Sequence, residues 1–152
     1  KIAEKYSKYN NFFYLWRTHE LPIAMEWSLK LKELTYKHSE AYSSWELKHG
    51  PIALIDENLP TIVINGNWPL YTKNISSIEE IKARSGKIIW VITTEDKNKE
   101  KYDDTIEFEA SLPELNPLLE VVALQLFAYH MTIAIWNDVD KPRNLAKSVT
   151  VE

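Results

Sequence analysis

Four short apolar runs along the chain predict β-strands. They span Asn11–Trp16 (NFFYLW), Pro60–Asn65 (PTIVIN), Lys87–Thr94 (KIIWVITT) and, more weakly, Thr105–Glu109 (TIEFE). The first three are almost continuously apolar instead of alternating, which is typical of strands covered on both faces of a parallel sheet. We expect the fourth run to be an edge strand, and the last residues, SVTVE, are strand-like as well.

Three longer segments of helix-forming composition lie between and after these runs. They are Leu21–Ser39, with Pro22 in its first turn, Leu70–Ser85, which Gly86 ends, and the apolar segment Pro117–Ile135. Residues 1–10 suit a connecting helix or linker, and Ala41–Gly50 is polar and turn-prone. The alternation of strands and helices predicts one α/β domain, in which a mainly parallel sheet carries helices on both faces.

Parallel sheets of this kind bind ligands at the carboxyl ends of their strands. This rule places a site near three segments that follow the predicted strands: Trp16–Leu21, Asn65–Pro69 and Thr93–Lys97. The sequence contains no Walker loop, no GxGxxG loop and no HExxH pattern. It therefore carries no motif for a nucleotide, a dinucleotide or a catalytic zinc ion.

Composition narrows the functional classes. The chain has 152 residues, 18 Lys and Arg against 22 Asp and Glu, and a net charge of −4. No long basic run is present, which argues against duplex nucleic acid or an anionic membrane as a partner. The absence of cysteine excludes disulfides, thiolate zinc sites, iron–sulfur clusters and a cysteine nucleophile, and it suits a reducing cytoplasm.

Targeting segments are not expected either. No stretch approaches the roughly 18 apolar residues that a membrane helix needs, and no basic–apolar–small signal peptide opens the chain. Because the first residue is Lys1 and not Met, we expect the chain to be part of a longer polypeptide.

One helix face carries a pattern of charges with two interpretations. Glu26, Lys30, Glu33 and Lys37 are spaced 4, 3 and 4 apart, so a helix would place them on one face. They could form a solvated row of ion pairs, each worth about 0.3–0.5 kcal/mol. Alternatively, they are a carboxylate base beside an ammonium group that tunes it or stabilises an oxyanion.

Two further residues carry possible chemistry. His49 lies between Lys48 and Gly50 in a turn-prone segment, where it is either an inert surface residue or a proton carrier. Lys147 precedes the apolar run SVTVE and is either a solvated lysine or an amine that forms a Schiff base. The residues alone favour the inert interpretation for both.

Longer segments favour the catalytic interpretations. Tyr36–Ile55 (YKHSEAYSSWELKHGPIALI) and Asp138–Glu152 (DVDKPRNLAKSVTVE) closely resemble the isomerase part of the glucosamine-6-phosphate synthase family, and Pro22–Leu34 resembles its helix. The resemblance runs from Phe12 to the last residue. It implies two sugar isomerase (SIS) subdomains with a flavodoxin-like three-layer fold, preceded by a glutaminase domain. This chain resembles the second subdomain: a connecting helix at 1–10, the SIS domain at 11–137 and an active-site tail at 138–152.

The resemblance also implies a role for each candidate residue. Glu33 resembles the group that moves a proton between C1 and C2 of the sugar, and Lys30 the lysine beside it. His49 resembles the histidine that assists ring opening in the neighbouring subunit's site. Lys147 resembles the lysine that forms a Schiff base with fructose 6-phosphate. The backbone around Ala146, with Arg143 and Asn144, is similar to a sugar-contacting stretch.

The implied protein is a homodimeric cytoplasmic enzyme that makes glucosamine 6-phosphate. Its partners are a sugar phosphate and the glutaminase and first SIS parts of the same protein, and no metal or organic cofactor is implied. The family's cysteine nucleophile and its phosphate-holding loops belong to those other parts, so we expect this fragment alone to be inactive. The alternatives are a non-catalytic sugar-phosphate-binding SIS module and a related deglycase or sugar-phosphate isomerase.

The departures from the family pattern are of one kind. At Trp16, Trp27, Trp45 and Trp136 the family pattern has Gly, and Trp68 and Trp90 are weaker cases of the same change. The chain has 6 Trp and 3 Gly, whereas ordinary usage of about 7% would give roughly ten Gly. The tryptophans are real, engineered, or UGA codons of the source that specify Gly. The third explanation accounts for both counts, and it is our hypothesis.

Overall fold

The computed structural model describes residues 1–17, 21–65, 71–99 and 102–146. Five parallel strands form one sheet in the order β2-β1-β3-β4-β5. The strands are β1 (Asn11–Trp16), β2 (His38–Ser43), β3 (Thr61–Ile64), β4 (Ile88–Thr93) and β5 (Asp104–Phe108). The helices are α1 (Ile2–Tyr6), α2 (Leu21–Thr35), α3 (Tyr71–Lys82) and α4 (Asn116–Ala134). The predicted parallel α/β sheet is confirmed.

The core lies in two layers, one on each face of the sheet. On one face, α1, α2 and α4 bury side chains that include Tyr6, Trp27 and Met131. On the other face, α3 and the 3₁₀ turn Glu46–His49 bury Leu47, Ile78 and Ile81. Central strands therefore contact apolar side chains above and below, which explains why their sequences are apolar throughout.

The sequence does not predict strand β2. It predicts the end of a helix up to Ser39 and a polar, turn-prone segment from Ala41, where the structure has a strand. Its sequence, HSEAYS, has no apolar run, and only Ser39 is buried. The strand forms one edge of the sheet and pairs with β1 alone. An edge strand is half solvated, so pairing with β1 stabilises it without the apolar pattern that identifies a central strand.

Helix α2 ends four residues earlier than predicted, at Thr35. Tyr36 adopts a left-handed conformation with φ 59°, and its backbone N–H closes the last turn on the carbonyl of Lys32 at 3.0 Å. Lys37 lies beyond this turn, and its Nζ donates to the carbonyl of Tyr9 at 2.7 Å. The prediction that Lys37 shares a helix face with Glu33 is therefore wrong.

Helix α4 is more apolar than expected. With the short turn before it, the segment Pro113–Ala134 is long and apolar enough to cross a membrane, judged by length and composition alone. Leu124, Phe127 and Met131 on its inner face are buried in the core. A helix that packs in the core of a globular domain passes the same test, so composition does not establish a membrane span.

Three tryptophans are accommodated in the core. Trp16, Trp27 and Trp90 are 4%, 1% and 0% exposed. The indole nitrogens of Trp27 and Trp90 have no hydrogen-bond partner within the described part of the chain. A buried N–H group without a partner is unfavourable. Glycine at position 27 would remove that group, but it would also leave a cavity.

Trp136 occupies a different environment. It is 95% exposed and follows α4 in a left-handed conformation with φ 62°. Its N–H donates to the carbonyl of Ile133 at 3.0 Å, and the N–H of Asn137 donates to that of Thr132 at 3.1 Å. These two bonds define a Schellman motif, whose left-handed position is most often glycine. The backbone at 136 therefore suits the residue that the family pattern has there. Trp68, by contrast, lies outside the described residues.

Candidate active site

An ion pair occupies the last turns of α2. Nζ of Lys30 lies 2.7 Å from Oε2 of Glu33 and 3.5 Å from Oε1 of Glu26. Spacings of three and four residues place these side chains on one helix face, as the sequence predicted. The Lys30 and Glu33 side chains are 37% and 25% exposed. The pair is therefore accessible to a ligand while its geometry is held by the helix.

The charge state of Lys30 limits its chemistry. The hydrogen bond to Glu33 raises the pKa of Lys30 above its usual value, and the carboxylate charges of Glu33 and Glu26 add to this effect. Lys30 is thus an ammonium group at neutral pH and a poor amine nucleophile. It can orient the Glu33 carboxylate and stabilise developing negative charge, while Glu33 can accept and return a proton.

The C-terminal tail returns to this end of α2. The side chain of Asn137 donates to the carbonyl of Leu34 at 3.0 Å. The backbone N–H of Arg143 donates to Oη of Tyr36 at 2.7 Å, and the Arg143 guanidinium lies 4.1 Å from the centre of the Tyr36 ring. The tail is therefore attached within one helical turn of Glu33. Asn144 and Ala146 follow as exposed residues, and Lys147 lies outside the described residues.

His49 lies on the other face of the sheet. It is the last residue of the 3₁₀ turn Glu46–His49, whose Leu47 packs in the α3 layer, whereas α2 packs in the opposite layer. Lys48 anchors this turn to α3 through Glu80, at 2.7 Å. Gly50, with φ 151°, follows His49 in a conformation that side chains rarely adopt. His49 is exposed, and one copy of the chain does not bring it to Glu33.

The carboxyl edge of the sheet holds a polar network that sequence reasoning missed. Nε of Arg17 donates to Oδ1 of Asn74 at 3.0 Å, and Nη2 of Arg17 donates to Ser77 at 3.1 Å. Asn74 donates in turn to Oδ1 of Asn65 at 2.7 Å and accepts a hydrogen bond from Ser44 at 3.1 Å. The network links residues that follow β1, β2 and β3 to α3. Its signal in the sequence is the polar residue that follows each of the apolar strands β1 and β3, whereas Ser44 follows the polar strand β2.

A cavity of about 280 Å³ adjoins this network. It lies where β3 and β4 end, in two of the segments that the strand rule indicated, and it is lined by Asn65, Tyr71, Thr93, Glu95, Asp96, Lys97 and Asn98. Oη of Tyr71 donates to Asp96 at 2.8 Å, and burial together with this bond raises the pKa of Tyr71. Glu33 and Lys30 lie at the opposite edge of the sheet, since α2 runs back from the carboxyl ends to the amino ends.

Comparison with known proteins identifies related chains. The SIS domain family matches residues 6–135. The chain is 49% identical over 152 residues to the isomerizing glutamine–fructose-6-phosphate aminotransferase of Thermus thermophilus, and 48% identical over 153 residues to that of Aquifex aeolicus. These matches cover 99% and 100% of this chain but only 25% and 26% of the two relatives. The chain thus spans about a quarter of the length of its curated relatives.

A solved structure shows the same architecture. The C-terminal domain of glucosamine-fructose-6-phosphate aminotransferase from Francisella tularensis superposes with a TM-score of 0.84 at 39% identity. The superposition covers 93% of this chain and 40% of that one. Since the family match spans most of the chain and the parallel sheet is shared with a solved relative, this chain belongs to the SIS domain family.

Proposed function

We propose that this chain is the second SIS subdomain of an enzyme that makes glucosamine 6-phosphate from fructose 6-phosphate and glutamine. The observation that carries the proposal is the Glu33–Lys30 pair. The described part of the C-terminal tail is attached at the same end of α2. The sequence similarity to named aminotransferases, which extends over the whole of this chain, supports it. A non-catalytic sugar-phosphate-binding module would have no need for this accessible carboxylate–ammonium pair.

Glu33 would move the proton in the isomerisation. Ammonia first displaces the enzyme amine from C2, so that the sugar carries a C2=N imine. The Glu33 carboxylate takes a proton from C1, the C1–H bonding electrons form a C1–C2 double bond, and the C2=N π electrons move to the nitrogen, which takes up a proton. The same carboxyl group then returns its proton to C2, while the C1 hydroxyl loses its proton and the C1–O bond becomes the carbonyl of an aldehyde. Lys30 stays charged and holds the carboxylate in place. The earlier imine between the enzyme and fructose 6-phosphate therefore requires another amine. Lys147 supplies that amine in this proposal.

The remaining parts of the reaction come from other segments of the complete enzyme. A glutaminase domain supplies ammonia, and a first SIS subdomain holds the sugar phosphate. The enzyme acts in the cytoplasm as a homodimer, in which His49 assists ring opening in the partner's site. Placement of His49 and Glu33 on opposite faces of the sheet supports this exchange, because two copies can complete a site that one copy does not.

Variants of the complete enzyme test the two catalytic roles separately. Glu33→Gln should abolish isomerisation with a loss in kcat rather than a change in KM, since the amide keeps the shape but cannot accept the proton. Lys147→Arg keeps the charge but forms no imine. Borohydride trapping with fructose 6-phosphate should label Lys147 in the parent enzyme and in Glu33→Gln. Label that persists in Lys147→Arg would contradict the assignment.

Mixed dimers test the exchange of His49. We expect Glu33→Gln and His49→Asn each to be inactive as homodimers. A heterodimer of the two would contain one site with both residues intact, so about half of the parent activity should return. A mixture that exchanges subunits yet stays inactive would show that His49 and Glu33 act within one chain or that His49 has no role.

A further inference from the structure

We propose that the outward face of α4 is the surface on which the first SIS subdomain of the complete enzyme docks, through a helix of that subdomain that packs along α4. This inference rests on the proposed function. Five residues form the face, and we call them the outer seam: Leu119, Val122, Leu126, Tyr129 and Ile133. The inference is drawn from their spacing, from their exposure, and from the position of the seam in the fold.

The outer seam has the periodicity of a contact between two helices. Its residues follow one another at intervals of 3, 4, 3 and 4 positions. Apolar residues that repeat every 3.5 positions on average form the contact line of helices that pack at about 20° to each other. Fourteen residue steps separate Leu119 from Ile133, so the seam is about 21 Å long. A partner helix of ordinary length can therefore cover it.

The outer seam exposes an apolar strip without charge. Its side chains are between 36% and 53% exposed. Glu120 is the only Asp, Glu, Lys or Arg residue of α4, and it is buried. Since Leu124 and Phe127 on the inner side of α4 are buried as well, the helix is apolar all round, as in helices that are enclosed on every side. A strip of this kind is typical of a permanent contact and not of a solvated surface.

The C-terminal end of the outer seam lies beside the proposed catalytic pair. Helices α2 and α4 pack against each other on one face of the sheet. The side chain of Asn137, just after α4, donates to the carbonyl of Leu34 at 3.0 Å, so the two helices end together. Ile133 is therefore close to the turn of α2 that carries Glu33. A subdomain docked on the seam covers the same face, where the sugar phosphate must be held for Glu33 to reach C1.

The start of the chain also lies beside the outer seam. Helix α1 packs on α4, and Lys1 and Ile2 line a groove of about 380 Å³ together with Leu126 and His130. This chain covers 25% of its Thermus thermophilus relative and 40% of the solved C-terminal domain, so both proteins contain further polypeptide. Polypeptide that precedes Lys1 in such a protein starts beside the seam and can cover it without a long linker.

A second copy of the chain is the alternative occupant. In the proposed function, His49 of one copy serves the Glu33 site of the other copy. The turn that carries His49 packs on the face of the sheet opposite to α4. Two copies that met through their outer seams would each keep His49 on the far side of the sheet, away from the other copy's Glu33. The first SIS subdomain is thus the occupant that agrees with the exchange of His49.

Photocrosslinking in the complete enzyme tests what covers the seam. A benzophenone-bearing amino acid replaces Tyr129 in one variant. In the matched control it replaces Thr72, an exposed residue of α3 on the other face of the sheet. Exchange with isotope-labelled subunits before irradiation shows whether both crosslinked peptides come from one chain. We expect the Tyr129 variant to crosslink, within one chain, to a segment that precedes Lys1, and we expect no such crosslink from the Thr72 variant.

A charge in the seam gives a second readout. Leu126→Lys should lower kcat/KM for fructose 6-phosphate by about tenfold or more, because docking would bury an ammonium group without a partner. Thr72→Lys places the same charge on the exposed side of α3 and should keep the parent value. Should Leu126→Lys fail to fold, the crosslinks decide, since the aromatic replacement of Tyr129 adds no charge.

Three outcomes would overturn the inference. They are crosslinks from the Tyr129 variant to a second copy, crosslinks that reach no segment before Lys1, and an unchanged kcat/KM in Leu126→Lys. The proposed function fails on a different result, namely isomerisation that survives in Glu33→Gln. If that happens while the crosslink forms, the docking surface stands and its link to the Glu33 site is lost.

Discussion

Replacing Trp136 with glycine should stabilise the chain. The left-handed conformation at φ 62° costs a residue with a Cβ atom roughly 1–2 kcal/mol. Glycine removes this penalty but loses about 0.5–1 kcal/mol more backbone entropy on folding. Trp136 is 95% exposed, so the substitution forfeits almost no burial. The net gain should be about 0.5–1 kcal/mol, or a rise in Tm of roughly 1–4 °C for a domain of this size.

Thermal and urea unfolding of the 152-residue chain measure this gain, with Trp136→Ala as the matched control. Alanine removes the indole and keeps the Cβ penalty, so it should leave Tm nearly unchanged. If alanine stabilises as much as glycine, the indole and not the backbone was responsible. A glycine variant less stable than the parent would refute the reasoning. The codon answers a separate question: TGG at this position would rule out a misread UGA codon and leave the stability argument intact.

Two further predictions concern the network and the ion pair. Asn74→Ala should destabilise the fold by about 2–4 kcal/mol, because it removes three side-chain hydrogen bonds, with Arg17, Ser44 and Asn65. The exposed neighbour Thr72→Ala should change the urea midpoint little, and equal effects of the two substitutions would contradict the network's importance. Lys30→Met should remove a small stabilisation, about 0.5 kcal/mol or less for an exposed pair. The pKa of Lys30 lies above its ordinary 10.5 in the folded chain, so this stabilisation should be constant from about pH 7 to 9 and disappear as the pH rises through the folded pKa. If the difference in unfolding free energy between the parent and Lys30→Met increases as the pH rises above 9, the ion-pair assignment is contradicted.

The sequence predicts most clearly what depends on neighbours in the chain. The continuous apolar runs of β1, β3 and β4 identify buried strands, and the spacing of Lys30 and Glu33 predicts their ion pair. These features follow from local periodicity, so no tertiary information is needed.

The features that the sequence does not predict depend on distant partners. Strand β2 becomes a strand because β1 pairs with it, and its own polar sequence gives no indication. The contact between Tyr36 and Arg143 joins residues 107 positions apart. Tyr36 also closes α2 in a left-handed backbone conformation, which the preference of aromatic residues would not suggest.

The polarity of β2 has a consequence for the association of whole molecules. An outer strand presents unpaired N–H and C=O groups, which can recruit a strand of another molecule and begin a fibre-like stack. Apolar side chains on such a strand would add hydrophobic contacts that favour this stacking. On β2, His38 and Glu40 instead expose an imidazole and a carboxylate group to solvent. These polar groups stay hydrated, which opposes pairing with another strand. The polar sequence that gives β2 no hydrophobic pattern therefore also makes this edge a poor template for a sixth strand from a neighbouring molecule.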